Sequence, residues 1–121
     1  MQFDFGLFSS IAARVYRPGN LYSLEDCLQV FGSYFQTYED CMGRPHPPIR
    51  AEQISRIMQS MPWVCEDDRG AVAPDIEPGW YSDLITLHFK TKYRRCDYNI
   101  NHFFSGRVRE LRFYEMAKGY E

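Results

Sequence analysis

The chain has 121 residues, 45% of them hydrophobic and 25% charged, and a formal net charge of −2. This composition excludes the apolar-poor, charge-rich profile of a disordered chain, and the length predicts one globular domain, residues 1–121, around one hydrophobic core. No stretch approaches the roughly 20 apolar residues of a bilayer span, and the N-terminal run lacks a basic leader and carries Asp4, so a cytoplasmic protein with no membrane association is expected.

The first element in chain order is a short helix over about residues 6–16, in which Leu7, Ile11 and Val15 line up. The strongest follows at SLEDCLQVFGSYFQTYEDCMG, residues 23–43. Leu24, Cys27, Leu28, Phe31, Phe35, Tyr38 and Met42 recur there at three- and four-residue steps, which lays them along one helical face. Ser23 and Asp26 read as a cap with an acidic first turn, and Gly43 as the left-handed terminator. Gly32 inside the helix costs on the order of 1 kcal/mol against Ala and suggests a close neighbour.

The segment Arg44-Pro-His-Pro-Pro48 is a stiff connector, because three prolines remove donors and force extended geometry. His46 between them is expected to be exposed. A second amphipathic helix at about 50–61 turns Ile54, Ile57, Met58 and Met61 inward and ends at Pro62. Residues 62–78, with Glu66, Asp67, Asp68, Gly70, Pro74 and Pro78, read as a long loop. A helix is expected beyond Pro78 with Trp80, Tyr81, Leu84, Ile85 and His88 on one face, a strand at 84–89 being the rival.

The last segment admits two readings. Ser105 as a cap, Val108, Leu111 and Glu115 on one face and Gly119 as terminator favour a helix over 107–118. The fold is then mainly α, a compact bundle of four to five helices. A hairpin at about 97–114 would make it a winged-helix-like α+β domain instead.

Motifs for nucleotide hydrolysis, dinucleotide binding, zinc proteolysis, the serine nucleophile elbow and calcium loops are all missing from the sequence. No catalytic residue, cofactor or metal is therefore expected, although an active site assembled from residues distant in sequence would leave no motif. Cysteines 27, 41, 65 and 96 form no C-x-x-C pair, and zinc sites usually show such paired ligands. Cys27 and Cys41 are about 21 Å apart on one helix at 1.5 Å per residue. Free, mostly buried thiols are the expectation. Cys96 differs in having Arg94 and Arg95 beside it, which favours a reactive thiolate. His88 and His102 open similar phrases, but their spacing does not match two-histidine phosphoesterases. Partly buried rings bonded to the backbone or to Asp97 are expected.

Charge is unevenly placed. From His88 to Arg112 the cations Lys90, Lys92, Arg94, Arg95, Arg107, Arg109 and Arg112 stand against Asp97 and Glu110 alone, seven against two, a net +5 in an acidic chain. Aromatic residues, 17% of the whole, are interleaved with them at Tyr93, Tyr98, Phe103, Phe104, Phe113 and Tyr114. Rings beside arginines suit base stacking and phosphate contact. The competing reading pairs the cations with the acidic 66–77 loop and puts the rings in the core.

Residues 49–58, Ile-Arg-Ala-Glu-Gln-Ile-Ser-Arg-Ile-Met, resemble the opening helix of helix-turn-helix domains. The likeness covers about ten residues, and the long proline-containing loop stands where that motif has a three- or four-residue turn. In the winged-helix-like alternative, Arg107 and Arg109 would lie at the wing. Two functions follow. One is a small binding or regulatory domain that takes nucleic acid through Lys90, Lys92, Arg94, Arg95, Arg107, Arg109, Arg112, Tyr93 and Tyr98. The other is a protein-interaction module, such as an inhibitor or accessory factor, whose arginines and rings form a hot-spot surface.

Overall fold

The computed structural model describes residues 4–62, 77–92, 96–105, 108, 109, 111 and 112. The protein is mainly α-helical: α1 (Phe5–Val15), α2 (Leu24–Met42), α3 (Ala51–Ser60), a 3-10 turn (Pro78–Trp80), α4 (Tyr81–Lys90) and α5 (Ile100–Phe103). Among the described residues there is no strand. Residues 100–103 are helical, and so are 108, 109, 111 and 112, so the hairpin of the winged-helix-like alternative does not form. The 62–78 loop falls mostly outside the described residues, as do Glu115 and Gly119.

Local chemistry sets the helix ends. The Asp26 N–H donates to Ser23 Oγ at 3.1 Å, and Glu25 and Asp26 complement the first turn. Gly43 closes α2 at φ +70°, where its N–H donates to Glu39 O at 2.9 Å. That left-handed conformation is cheap only without a Cβ. Asp4 caps α1 by accepting from the Leu7 N–H at 2.9 Å. At α3 the Arg50 N–H donates to Gln53 Oε1 at 3.1 Å, and Pro78 starts the turn that leads into α4.

Helix α2 is central. Helix α4 packs along it, α1 packs on both α2 and α3, and the 3-10 turn touches α2 and α4. One side of α2 meets α1 through Phe8, whose ring lies edge-on to Phe31 at 4.8 Å and Phe35 at 5.0 Å. Another meets α4, where Tyr34 and Tyr38 approach Phe89 at 5.2 and 6.3 Å. Covered from two directions, α2 buries a wider arc than a single stripe. Val30 and Tyr34 join Cys27, Phe31, Phe35 and Tyr38 in the core, while Leu24, Leu28 and Met42 are partly buried at its edge.

Several inward assignments are corrected by packing. In α1 the buried residues are Phe8 and Ala12, and Leu7 is 61% exposed. The helix is phased by the larger Phe8 ring, which reaches the α2 aromatics. Trp80 is 44% exposed because it sits in the 3-10 turn ahead of α4. Tyr81, Leu84, Ile85 and His88 are buried as expected. Leu111 is exposed, and its neighbour Arg112 is buried instead.

His46 is buried, not exposed. Its ring packs against Tyr38 at 4.7 Å and Phe35 at 5.0 Å, because the proline connector crosses the aromatic face of α2. The Ile100 N–H donates to His46 Nε2 at 3.0 Å. Nδ1 therefore carries the proton, which it donates to Pro47 O at 2.7 Å. Burial pulls the His46 pKa below its ordinary 6.5, against the opposing pull of Pro47 and Asp97. Among the thiols Cys27 is buried, its pKa pushed up to about 11 first by burial and then by Asp26. Cys41 is exposed, which corrects its expected burial, and Cys96 is intermediate.

Candidate functional site

The basic segment begins at the end of α4, where Lys90 and Lys92 are both exposed. Tyr93, Arg94, Arg95 and Arg107 lie outside the described residues. The three remaining candidates are turned toward the protein itself. Arg109 Nη1 donates to Ser60 O and, at 3.0 Å, to the Tyr81 hydroxyl, and its guanidinium lies 5.4 Å from the Phe104 ring centre. The Tyr81 hydroxyl in turn donates to Met61 O at 2.5 Å. Burial pushes the Tyr81 pKa up to about 12 despite Arg109, so this hydroxyl keeps its proton. Arg112 is 7% exposed, and its Nη1 donates to Thr91 Oγ1 at 2.7 Å.

Tyr98 sits at φ +58°, rare for a non-glycine residue. Its hydroxyl donates to Thr91 O at 2.6 Å, its carbonyl accepts from the Tyr34 hydroxyl at 2.5 Å, and its ring stacks on Phe89 at 5.2 Å. These bonds hold the backbone in the left-handed region. Phe103 is also buried and Phe104 packs against the core. Among the described residues, then, Tyr98, Arg109 and Arg112 brace the C-terminal part of the chain against α2, α3 and α4. Lys90 and Lys92 remain at the surface end of α4.

A thiol and an imidazole meet beside this brace. Cys96 Sγ lies 3.3 Å from His102 Nδ1, and the Tyr98 N–H donates to the same sulfur at 3.2 Å. The His102 ring is 5.4 Å from that of His88. His88 is fully buried, and its pKa falls to about 3, first through burial and then through His102 and Arg112. No group of three or more His, Cys, Asp or Glu side chains suited to a metal ion occurs among the described residues.

The most exposed large apolar side chain described is Leu21, at 70%. It stands on the turn between α1 and α2, which the sequence reading did not single out. Four interactions brace that turn. The Asn20 side chain donates to Met58 O at 2.9 Å, and its Oδ1 accepts from the Tyr22 N–H at 3.0 Å. The Tyr16 hydroxyl donates to Tyr22 O at 2.7 Å, and the Asn20 N–H donates to Arg17 O at 3.3 Å. Gly19, at φ +94°, permits the reversal. Leu21 lines an open groove of about 340 Å³ with Arg17, Gly19, Asn20, Gln59 and Pro62. Arg14 and Arg56 are exposed on α1 and α3, the two helices beside it. The legible signal was a leucine directly after Arg-Pro-Gly-Asn, where a turn is certain and an apolar residue has no core to enter.

No described helix is long and apolar enough to cross a membrane. No protein-family model matches the chain, and neither a curated protein nor a solved structure matches it.

Proposed function

We propose that the chain is a small protein-interaction domain of inhibitor or accessory type, which engages its partner through the turn bearing Arg17 and Leu21. The observation that carries this reading is the bracing of a turn that nevertheless presents a leucine to solvent. Holding the backbone in place before binding reduces the ordering cost that association otherwise incurs. Arginine beside an exposed apolar anchor is a composition typical of energetically dominant contacts. A single-domain organisation and cytoplasmic residence belong to the same proposal, and the free thiols at Cys27, Cys41 and Cys96 support the second.

Nucleic-acid binding is the second reading. It draws on the net +5 between residues 88 and 112 and on the surface position of Lys90 and Lys92. Its aromatic half has less support, since Tyr98, Phe103 and Phe104 pack against the core.

The two readings separate in one experiment with the full chain and two charge-altered variants. A partner bound by the wild type and lost in Leu21→Asp with Arg17→Glu, at an unchanged melting temperature, supports the interaction domain. A ligand indifferent to that pair, lost on Arg94→Glu with Arg95→Glu and released by salt with a log–log slope of about −0.7 to −0.9 per phosphate, overturns it in favour of nucleic acid.

A further inference from the structure

We propose that Cys96 is a modification site, a thiol activated by His102 for exchange with low-molecular-weight disulfides. Three observations place the chemistry there. Cys96 is a partly exposed residue, within reach of a small reagent. His102 Nδ1 at 3.3 Å is the proton acceptor that a thiol needs to become a nucleophile, and as an imidazolium it becomes a donor to the thiolate. The Tyr98 N–H at 3.2 Å is a second donor on the same sulfur, held there by the left-handed backbone of Tyr98. Once the proton has passed, negative charge on Sγ is met by the His102 Nδ1–H and by the Tyr98 N–H, the second of which is in place before any reagent arrives.

Among the described residues, the other charged and titratable groups around the pair include Asp97, next in the chain and exposed, His88 from α4, and Arg112. His88 stays neutral in its buried position, and His102 is the imidazole of the two in contact with sulfur.

The reaction is an exchange in which no net oxidation occurs. The Cys96 proton passes to His102, the thiolate attacks one sulfur of the external disulfide, and that S–S bond breaks as the Cys96 mixed disulfide forms. The departing thiolate takes the proton back from the imidazolium. Excess small thiol reverses the exchange. Cys41, exposed near the end of α2, is a reference within the same molecule, and buried Cys27 stays silent.

The test incubates the folded full chain with oxidised glutathione at pH 7 and follows each adduct by peptide mass mapping. Cys96 is expected to react at least tenfold faster than Cys41, and His102→Gln should bring it down to the Cys41 rate. Equal rates in the folded wild type overturn the proposal, as does an advantage that survives in a folded His102→Gln variant. A measurement that needs no variant repeats the comparison in concentrated urea. Loss of the Cys96 advantage on unfolding supports the pair. An advantage that persists assigns it to the adjacent Arg94 and Arg95, and the proposal fails.

Discussion

The backbone N–H of Ile100 donates to Nε2 of His46 at 3.0 Å, joining the proline connector to α5 across 54 positions of sequence. The bond fixes the histidine tautomer and supplies the partner for a buried donor at the start of a one-turn helix. His46→Phe keeps an aromatic ring between Tyr38 and Phe35 but removes the acceptor. It is expected to cost about 1–3 kcal/mol, the range for leaving a buried polar group unsatisfied. Urea denaturation checks this, and a loss below about 0.5 kcal/mol would show that Ile100 finds another partner.

Acid should destabilise the protein in a window set by the histidines. The folded-state pKa values of His46 and His88 lie below 6.5, the latter at about 3. The unfolded chain therefore binds more protons than the folded one once pH drops below 6.5. The His88 contribution is level above that value and is lost progressively between pH 6.5 and about 3, at up to about 1.4 kcal/mol per pH unit, and His46 adds a loss of the same sign below 6.5. Unfolding free energies at pH 7.5, 6.5, 5.5 and 5.0 should show the decline, and His88→Phe should flatten it. An unchanged slope in both His88→Phe and His46→Phe would assign the acid sensitivity to other groups.

The glycine within α2 and the glycine that caps it should respond to alanine with opposite signs. A Cβ on Gly32 would meet Phe5 Cζ at 3.6 Å, ordinary van der Waals contact, so Gly32→Ala should stabilise by about 0.5–1 kcal/mol through helix propensity. The close neighbour suggested by the sequence leaves room for a methyl group. Gly43 at φ +70° has space around it, but an alanine there is strained, and Gly43→Ala should destabilise by about 1 kcal/mol. Thermal melts of the two variants against the wild type decide both.

Arg109 is expected to act on stability before it acts on binding. Arg109→Ala removes the donor to Ser60 O and to the Tyr81 hydroxyl, a loss of about 2–3 kcal/mol at the usual worth of charge-assisted bonds. Arg109→Lys should restore only part of it, because an ammonium lacks the planar fork and the stacking over Phe104. A variant with wild-type stability but weakened partner binding would return Arg109 to the surface site.

Sequence by itself determined the elements whose causes are local. Ser23, the apolar steps through Phe31 and Phe35, and Gly43 define α2 because caps and periodicity act within a few residues. The same holds for α3 and for the Pro78 start that leads into α4. Tertiary structure decided how those elements are used. It phased α1 on Phe8, because a ring against Phe31 and Phe35 buries more than Leu7 can. It drew His46 of the connector against Tyr38 and Phe35, where the prolines alone argued for exposure. It also directed Arg109 and Arg112 to Ser60, Tyr81 and Thr91, so a run of cations that reads as a surface in one dimension is partly a set of clasps in three. Arg17 with Leu21, and Cys96 with His102, follow the same logic. A turn is legible from Pro18, Gly19 and Asn20, but what braces it, and which imidazole reaches a given sulfur, depends on contacts between segments that composition and spacing do not encode.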